Sequence, residues 1–258
     1  MKKKGQITIF IIIGMIFVSS ILLFFVFRDS FSLEKIPVNA EPVYSNILSC
    51  LEQVAEDGLY TLGWQGGLIS FDEEKMMIAY FSTITYAYDE GVKTFPSIEE
   101  MESQLEAYAN IGFKNCFENE TYLDGWEVKE VEMNTNVFST EDSVVFDINS
   151  PLVIEKNQTT QKIKDMSIEI PVRLSHIHSV ISKIIDVQVE DPGWIPYTYL
   201  NDFDLNTTMY PYRENNFIYE FVDNQSLIDS MSFQFLVANK FKERDVDEAI
   251  DEVINEIT

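Results

Sequence analysis

The residues best suited to chemistry lie in two short stretches of the second half of the chain. His176 and His178 are the only histidines, and they stand two positions apart. On a strand they would face the same side and could chelate a metal ion, whereas on a helix they diverge by about 200° and could not. We favour a helix, because Ser175 is a good cap and apolar residues follow at helical spacing. The histidines are then expected to be solvated or to cap that helix.

The second stretch, Asp202 to Asn206, begins like a calcium-binding loop. Thr207 then stands where an EF-hand needs glycine, and Arg213 stands at the twelfth position, where it needs glutamate. The pattern excludes an EF-hand and leaves a loose, calcium-stabilised loop as an alternative. The sequence also lacks nucleophile-elbow, P-loop, zincin and dinucleotide-binding patterns. It therefore predicts no catalytic residue, no cofactor and no metal site.

Two cysteines, Cys50 and Cys116, are the only thiols of the chain. Cys50 lies on the apolar face of the first predicted soluble helix, and Cys116 follows the second. A disulfide between them would clip two helices together, and closing so long a loop is worth roughly 4 kcal/mol in the chain-entropy model. The alternatives are two buried thiols or an intermolecular bridge. No histidine lies near either cysteine in the sequence, so a catalytic thiol is not expected.

Four asparagines begin an Asn-x-Ser/Thr sequon. Such sequons arise by chance in a chain rich in Asn and Thr, but on an exported surface one or two of them could be glycosylated. The candidate glycosylation sites are Asn119, Asn157, Asn206 and Asn224.

Residues 7–27 form an apolar run without a charged residue. As a helix, this run would be about 31 Å long, which matches a bilayer hydrocarbon core of about 30 Å. A secretory signal peptide has a shorter apolar stretch, of about 7–15 residues, and a cleavage site of small residues. Phe27, Arg28 and Asp29 make a poor cleavage site. The sequence therefore predicts a retained transmembrane helix over residues 6–28.

Charge sets the expected orientation of this helix. Three lysines, at positions 2–4, precede it, so the positive-inside rule places the N-terminus in the cytoplasm and the C-terminal domain outside. Residues 1–28 hold four of the 18 basic residues and none of the 43 acidic ones, so the remainder has a formal charge of −29. Such a surface excludes nucleic acid as a direct partner, and it could attract cations or a basic partner.

The N-terminal motif Lys3-Lys4-Gly5-Gln6, followed directly by the apolar run, resembles the class III signal sequence of archaeal type IV pilin-like proteins. The resemblance implies that a prepilin peptidase cuts between Gly5 and Gln6, on the cytoplasmic side. The helix is then kept and can pack into a filament core. The resemblance covers about the first 28 residues. Phe10 stands where that family often has glutamate, which weakens filament assembly more than anchoring, and an uncleaved signal anchor remains the alternative.

The first half of the remaining chain favours helices. Residues 29–42 read as a linker, and apolar spacing predicts a helix over residues 43–63 that ends at glycines. Ser97 and Glu100 form a capping box for a second helix, which is expected to run to about Gly112. The aromatic stretch between the two helices is predicted to be a hairpin or an irregular insertion.

From Trp126 onward the apolar period changes towards two, which is typical of strands. Nine aromatic residues between Trp194 and Phe221 are expected to fill the core under a long loop. The predicted elements are strands at 144–148, 152–154 and 166–174, a helix at 175–185, a strand pair at 216–222 and 231–238, and an acidic C-terminal helix with Val246, Ile250, Val253 and Ile257 on one face.

These observations predict an α+β protein with a single N-terminal transmembrane helix. The predicted order is a basic leader at 1–5, the transmembrane helix at 6–28, the linker at 29–42, and an extracytoplasmic domain at 43–258. In that domain, helices pack on a mostly antiparallel sheet. We expect a membrane-anchored surface protein that acts by interaction with protein partners or like subunits, not by catalysis. The alternative is a subunit or minor component of an archaeal type IV pilus-like filament after cleavage at Gly5–Gln6.

Overall fold

The computed structural model describes Met15 and residues 41–70, 76–79, 82–118, 125–130, 134–149, 152–157, 159–163, 166–192, 200, 203–213 and 215–242. The predicted leader, the predicted transmembrane helix apart from Met15, most of the linker and the acidic C-terminal helix lie outside these ranges. Within these ranges, no helix is both long and apolar enough to cross a membrane.

Three helices are described, and each is longer than its prediction. Gly112 lies inside the second helix instead of ending it, and Val54 of the first helix packs against it. A Cβ at position 112 would lie 2.4 Å from the Val54 Cγ1 atom. Ser175 lies inside the third helix, and Arg173 precedes that helix without a side-chain cap. The helices are α1 (Glu41–Trp64), α2 (Ile98–Glu118) and α3 (Leu174–Glu190).

The ends of the first two helices follow the sequence signals. Gly66 and Gly67 have φ angles of +77° and +97°, and the N–H of Gly67 donates to the carbonyl oxygen of Leu62 at 2.8 Å. This left-handed turn satisfies an end carbonyl of α1. At the start of α2, the Oγ of Ser97 accepts from the N–H of Glu100 at 3.2 Å, which is one half of the predicted capping box.

The largest sheet has six strands, in the order β1-β2-β12-β11-β10, with β3 also paired to β2. Every pairing is antiparallel except that of β12 with β2. The strands are β1 (Met76–Ala79), β2 (Ser82–Asp89), β3 (Val92–Lys93), β10 (Asn206–Tyr212), β11 (Asn216–Ile228) and β12 (Met231–Lys240).

Two three-stranded antiparallel sheets come from the middle of the chain, in the orders β4-β7-β8 and β5-β6-β9. Their strands are β4 (Glu127–Glu130), β5 (Thr135–Ser139), β6 (Val144–Ile148), β7 (Leu152–Lys156), β8 (Thr159–Ile163) and β9 (Met166–Ile170). The strand predicted over 166–174 is thus too long. The observed strand, β9, ends at Ile170, directly before Pro171, which has no N–H to continue the hydrogen-bond ladder.

The six-stranded sheet buries side chains on both faces. Tyr219 and Phe235 alternate with Ile218 and Leu236 along paired strands, so the two pairs point to opposite faces. The face that carries Ile218 and Leu236 has its own apolar cluster, completed by Met77, Ala79, Ile84 and Ala238.

This second face is concave, as one hydrogen bond demonstrates. The hydroxyl of Tyr212, on the last strand of the sheet, donates to the carbonyl oxygen of Ile78, on the first strand, at 3.0 Å. The two ends of the sheet therefore approach each other over this face. Trp64, at the end of α1, packs against the same cluster.

Candidate functional site

A cavity of about 630 Å³ lies on the concave face of the large sheet, next to the last turn of α1. We call it the aromatic cavity. Its apolar wall is formed by residues from α1 and from all five strands of the main sheet path. These residues are Trp64, Ala79, Ile84, Pro211, Ile218 and Leu236. Cavities of this size and polarity hold small molecules in many proteins.

Partly exposed aromatic rings border the aromatic cavity. The Tyr60 ring contacts that of Trp64 in a tilted arrangement with ring centroids 5.6 Å apart, and Tyr60 is 48% exposed. Tyr210 is 46% exposed, and its hydroxyl donates to the Oε2 atom of Glu220 at 2.8 Å. That hydrogen bond is the main reason that the pKa of Tyr210 is raised. A neutral tyrosine hydroxyl therefore orients a carboxylate at the cavity.

A polar cluster lies elsewhere, where the start of α3 meets β11. The Nε and Nη2 atoms of Arg173 donate to the two carboxylate oxygens of Asp223 at 2.9 and 2.7 Å. The side chain of Asp223 is fully buried. Both terminal nitrogens of Arg173 also lie 3.1 Å from Asp204 Oδ2, and the Nε2 of His176 lies 2.6 Å from Asp204 Oδ1. We call these four residues the arginine cluster.

The central pair of the arginine cluster, Arg173 and Asp223, is held in its charged form. Burial opposes ionisation of Asp223, but hydrogen bonds from Arg173, from the Ser226 hydroxyl and from the N–H of Gln225 outweigh it, so the pKa of Asp223 lies below its usual value. The hydrogen bond to Asp223 likewise raises the pKa of Arg173. The Ser226 hydroxyl donates to Asp223 and accepts from the N–H of Arg173. It is therefore engaged in structure and is not poised as a nucleophile.

The two histidines bind different partners. Both lie on α3, as the sequence predicted, and they diverge: His176 pairs with Asp204, while the Nε2 of His178 lies 3.0 Å from the carbonyl oxygen of Pro96. Burial lowers the pKa of His178. Among the residues that the structure describes, no group of three His, Cys, Asp or Glu side chains is placed to hold a metal ion.

The sequence left a loose, calcium-stabilised loop around Asp204 as an alternative and did not identify Arg173 as the partner of Asp204. In the structure the Asp204 carboxylate accepts from a guanidinium and contacts an imidazole, which is an ion-pair role. Asp202 lies outside the described residues. The sequence did contain a signal that Arg173 is paired, since this basic residue stands between two apolar ones, Val172 and Leu174. Both of these neighbours are fully buried in the structure. A charge in such a place needs a partner.

The structure contains a disulfide between Cys50 and Cys116, with the two Cα atoms 5.9 Å apart. Both residues are buried, and they join α1 to α2. The prediction that Cys116 follows the second helix is wrong, because α2 continues past it to Glu118.

The sequons differ in their surroundings. Asn157 is exposed in the β7–β8 turn with a φ of +52°, and Asn206 is exposed as the first residue of β10. Asn224 is exposed, but its Oδ1 atom accepts from the Ser232 hydroxyl at 2.9 Å. Asn119, Gly5 and Gln6 lie outside the described residues.

A buried polar network connects α3 to the large sheet. The Nδ2 of Asn239 donates to the Oε1 of Gln188 at 2.7 Å, and the Nε2 of Gln188 donates to the Tyr219 hydroxyl at 3.2 Å. All three side chains are buried. Burial raises the pKa of Tyr219 to about 12. No local sequence pattern predicts this network, since its members are far apart along the chain.

Comparison with known proteins gives no relative. No protein family, no curated protein and no solved structure matches this chain.

Proposed function

We propose that this chain is a single-pass, membrane-anchored α+β protein whose C-terminal domain lies outside the cytoplasm and acts by binding. The observation that carries the proposal is the Cys50–Cys116 disulfide, because such bonds persist in oxidising compartments outside the cytoplasm. The uncharged apolar run of residues 7–27 supports an anchor, and the three preceding lysines support this orientation.

Binding rather than catalysis is supported by the aromatic cavity and by the arginine cluster. The aromatic cavity offers aromatic rings, apolar side chains and one oriented carboxylate, a lining that suits the binding of a small molecule. At the arginine cluster, His176 and the adjacent Ser226 are both engaged by carboxylates that Arg173 also binds. Their arrangement stabilises the junction of α3 and β11.

Labelling lysines in intact cells tests the location. A membrane-impermeant amine reagent should modify Lys183, which is exposed on α3, without lysis. A cytoplasmic protein of the same cells serves as the control and should react only after lysis. Modification of Lys183 only after lysis would place the domain in the cytoplasm and contradict the proposal.

A second candidate function, a subunit of a pilus-like filament, is favoured by the Lys3-Lys4-Gly5-Gln6 motif. Mass spectrometry of the mature N-terminus tests the first step. In cells with the matching peptidase, we expect residues 1–5 to be absent. Recovery of an intact N-terminal segment from such cells would remove the motif's support for this candidate.

Polymerisation separates the two candidates. Tight packing of helices in lipid needs small or polar residues at the contact, and the apolar run has only Thr8, Gly14, Ser19 and Ser20, without a Gly-x-x-x-Gly pattern. The acidic domain adds repulsion between identical copies at low salt. We therefore expect the purified protein not to polymerise under those conditions. Regular filaments of this chain alone, seen by electron microscopy, would make the filament function the leading one.

A further inference from the structure

The aromatic cavity combines an apolar interior with a single charge. Among the described residues that line it, Glu220 is the one formally charged side chain, and none is Lys, Arg or His. Glu220 is partly exposed, and the Tyr210 hydroxyl holds its Oε2 atom at 2.8 Å. A ligand that enters this cavity therefore meets a fixed negative charge next to aliphatic walls.

The aromatic rings add to the preference for a positive charge. Tyr60, Trp64 and Tyr210 all line the cavity, and ring faces attract ammonium groups through their quadrupoles. The attraction is greatest where the cation is partly removed from water, and Trp64 packs against the buried apolar cluster of this face.

The charge of the whole chain acts in the same direction. A formal net charge of −25 concentrates cations near the surface and disfavours anions. The volume, about 630 Å³, fits a drug-sized molecule better than it fits the broad contact area of a folded partner.

We propose that the aromatic cavity binds a small amphipathic organic cation with an apolar body and one ammonium group. The apolar body contacts Ile84, Ile218 and Leu236, and the ammonium lies between Glu220 and the rings of Tyr60 and Tyr210. The proposal deepens the proposed binding function, and it rests on that function only for the compartment in which the ligand is met.

The test uses the full chain in lipid nanodiscs, with empty nanodiscs as the blank. Three probes share a six-carbon chain and differ in charge: hexyltrimethylammonium, 1-hexanol and hexanesulfonate. Saturation-transfer NMR titrations measure the affinity of each. We expect the cation to bind most tightly, the alcohol to bind about tenfold more weakly, and the sulfonate not to bind.

Two variants and one matched control locate the site. Glu220→Gln should weaken binding of the cation about tenfold and leave that of the alcohol unchanged. Glu141→Gln removes the same charge from an exposed position in the β5–β6 turn, and it should leave both affinities unchanged. Ser82→Phe places a ring in the cavity and should abolish binding of both probes.

Equal affinity for the three probes, no binding of the cation, or equal losses in Glu220→Gln and Glu141→Gln would each overturn the proposal. Circular dichroism of each variant verifies that it is folded. Because the titration does not depend on where the protein resides, failure here leaves the lysine-labelling result unaffected. Conversely, finding the domain in the cytoplasm would not change the result of the binding titration.

Discussion

At the scale of single residues, Arg173 and Asp223 of the arginine cluster form a largely buried ion pair. Arg173 is 13% exposed in its side chain and Asp223 is 0% exposed, so little water can substitute for either partner. The two charges are joined by two parallel hydrogen bonds, the geometry in which a guanidinium pairs best with a carboxylate. This pair contrasts with Lys93–Asp186, whose side chains are 33% and 60% exposed.

Arg173→Met should destabilise the protein severely, because it leaves the Asp223 carboxylate buried without its counter-charge. We expect a loss of about 3–5 kcal/mol in the free energy of unfolding, measured by urea denaturation. Lys93→Met breaks an exposed ion pair and should cost less than about 1 kcal/mol. A loss in Arg173→Met no larger than that of the control would contradict the assignment of the cluster as a buried ion pair.

Tyr219 should give the protein a specific sensitivity to alkali. Its folded pKa, about 12, lies above the unfolded value of about 10. The stability from keeping it neutral is therefore complete below pH 10 and is lost as the pH rises towards 12. The free energy of unfolding of the wild type should fall over that range, and Tyr219→Phe should remove this part of the decline. Tyr60→Phe, at an exposed tyrosine, should behave as the wild type does.

At the scale of elements, α2 is held at two places in addition to the disulfide. One is the edge strand β5, whose N–H groups on alternate residues donate to polar side chains spaced one turn apart along α2. The pairs are Ser139 with Glu102, Val137 with Glu106, and Thr135 with Asn110. A helix that covers an edge in this way removes donors that another chain could use.

The second place is the contact of α2 with α1 at Gly112. Helix propensity alone predicts that Gly112→Ala stabilises the protein by about 1 kcal/mol. The structure predicts the opposite sign, because the new Cβ would lie 2.4 Å from Val54 Cγ1. We expect a loss of about 1–3 kcal/mol by thermal or urea unfolding. Adding Val54→Ala should recover part of the loss that Gly112→Ala causes, and a stabilised single variant would disprove the close contact.

At the scale of the whole molecule, the disulfide links two helices whose cysteines are 66 residues apart. Restricting so long a loop in the unfolded chain contributes about 4 kcal/mol. Replacing both Cys50 and Cys116 by serine should therefore lower the melting temperature measurably. Treating the wild type with a reductant should produce a similar shift, and the same treatment should not affect the double variant. Two cysteines that are freely alkylated in the native exported protein would contradict the bond.

Local sequence patterns determined much of the secondary structure. The spacing of apolar residues located α1, α2 and α3, and the alternation of apolar and polar residues located β6, β9, β11 and β12. Glycines and Ser97 marked helix ends for steric and hydrogen-bonding reasons that act within a few residues. The pairing of the cysteines could be proposed without a structure, since the chain has only two. Boundaries were less accurate, as at Gly112, because a glycine can end a helix or, as here, lie inside one where a residue of another helix, Val54, comes close.

Only the tertiary structure brings together the residues that form the aromatic cavity and the arginine cluster. The strand β10 lies in the stretch where aromatic residues were expected to fill the core under a long loop, and its pairing with β11 establishes it as a strand. Asp223 lies 50 residues from Arg173, and no local pattern states that they meet. The aromatic cavity brings Trp64, Ile84 and Glu220 together only after the sheet has set its register and curled. Local spacing fixes which face a side chain takes, whereas strand order and curvature fix which distant side chains it faces there.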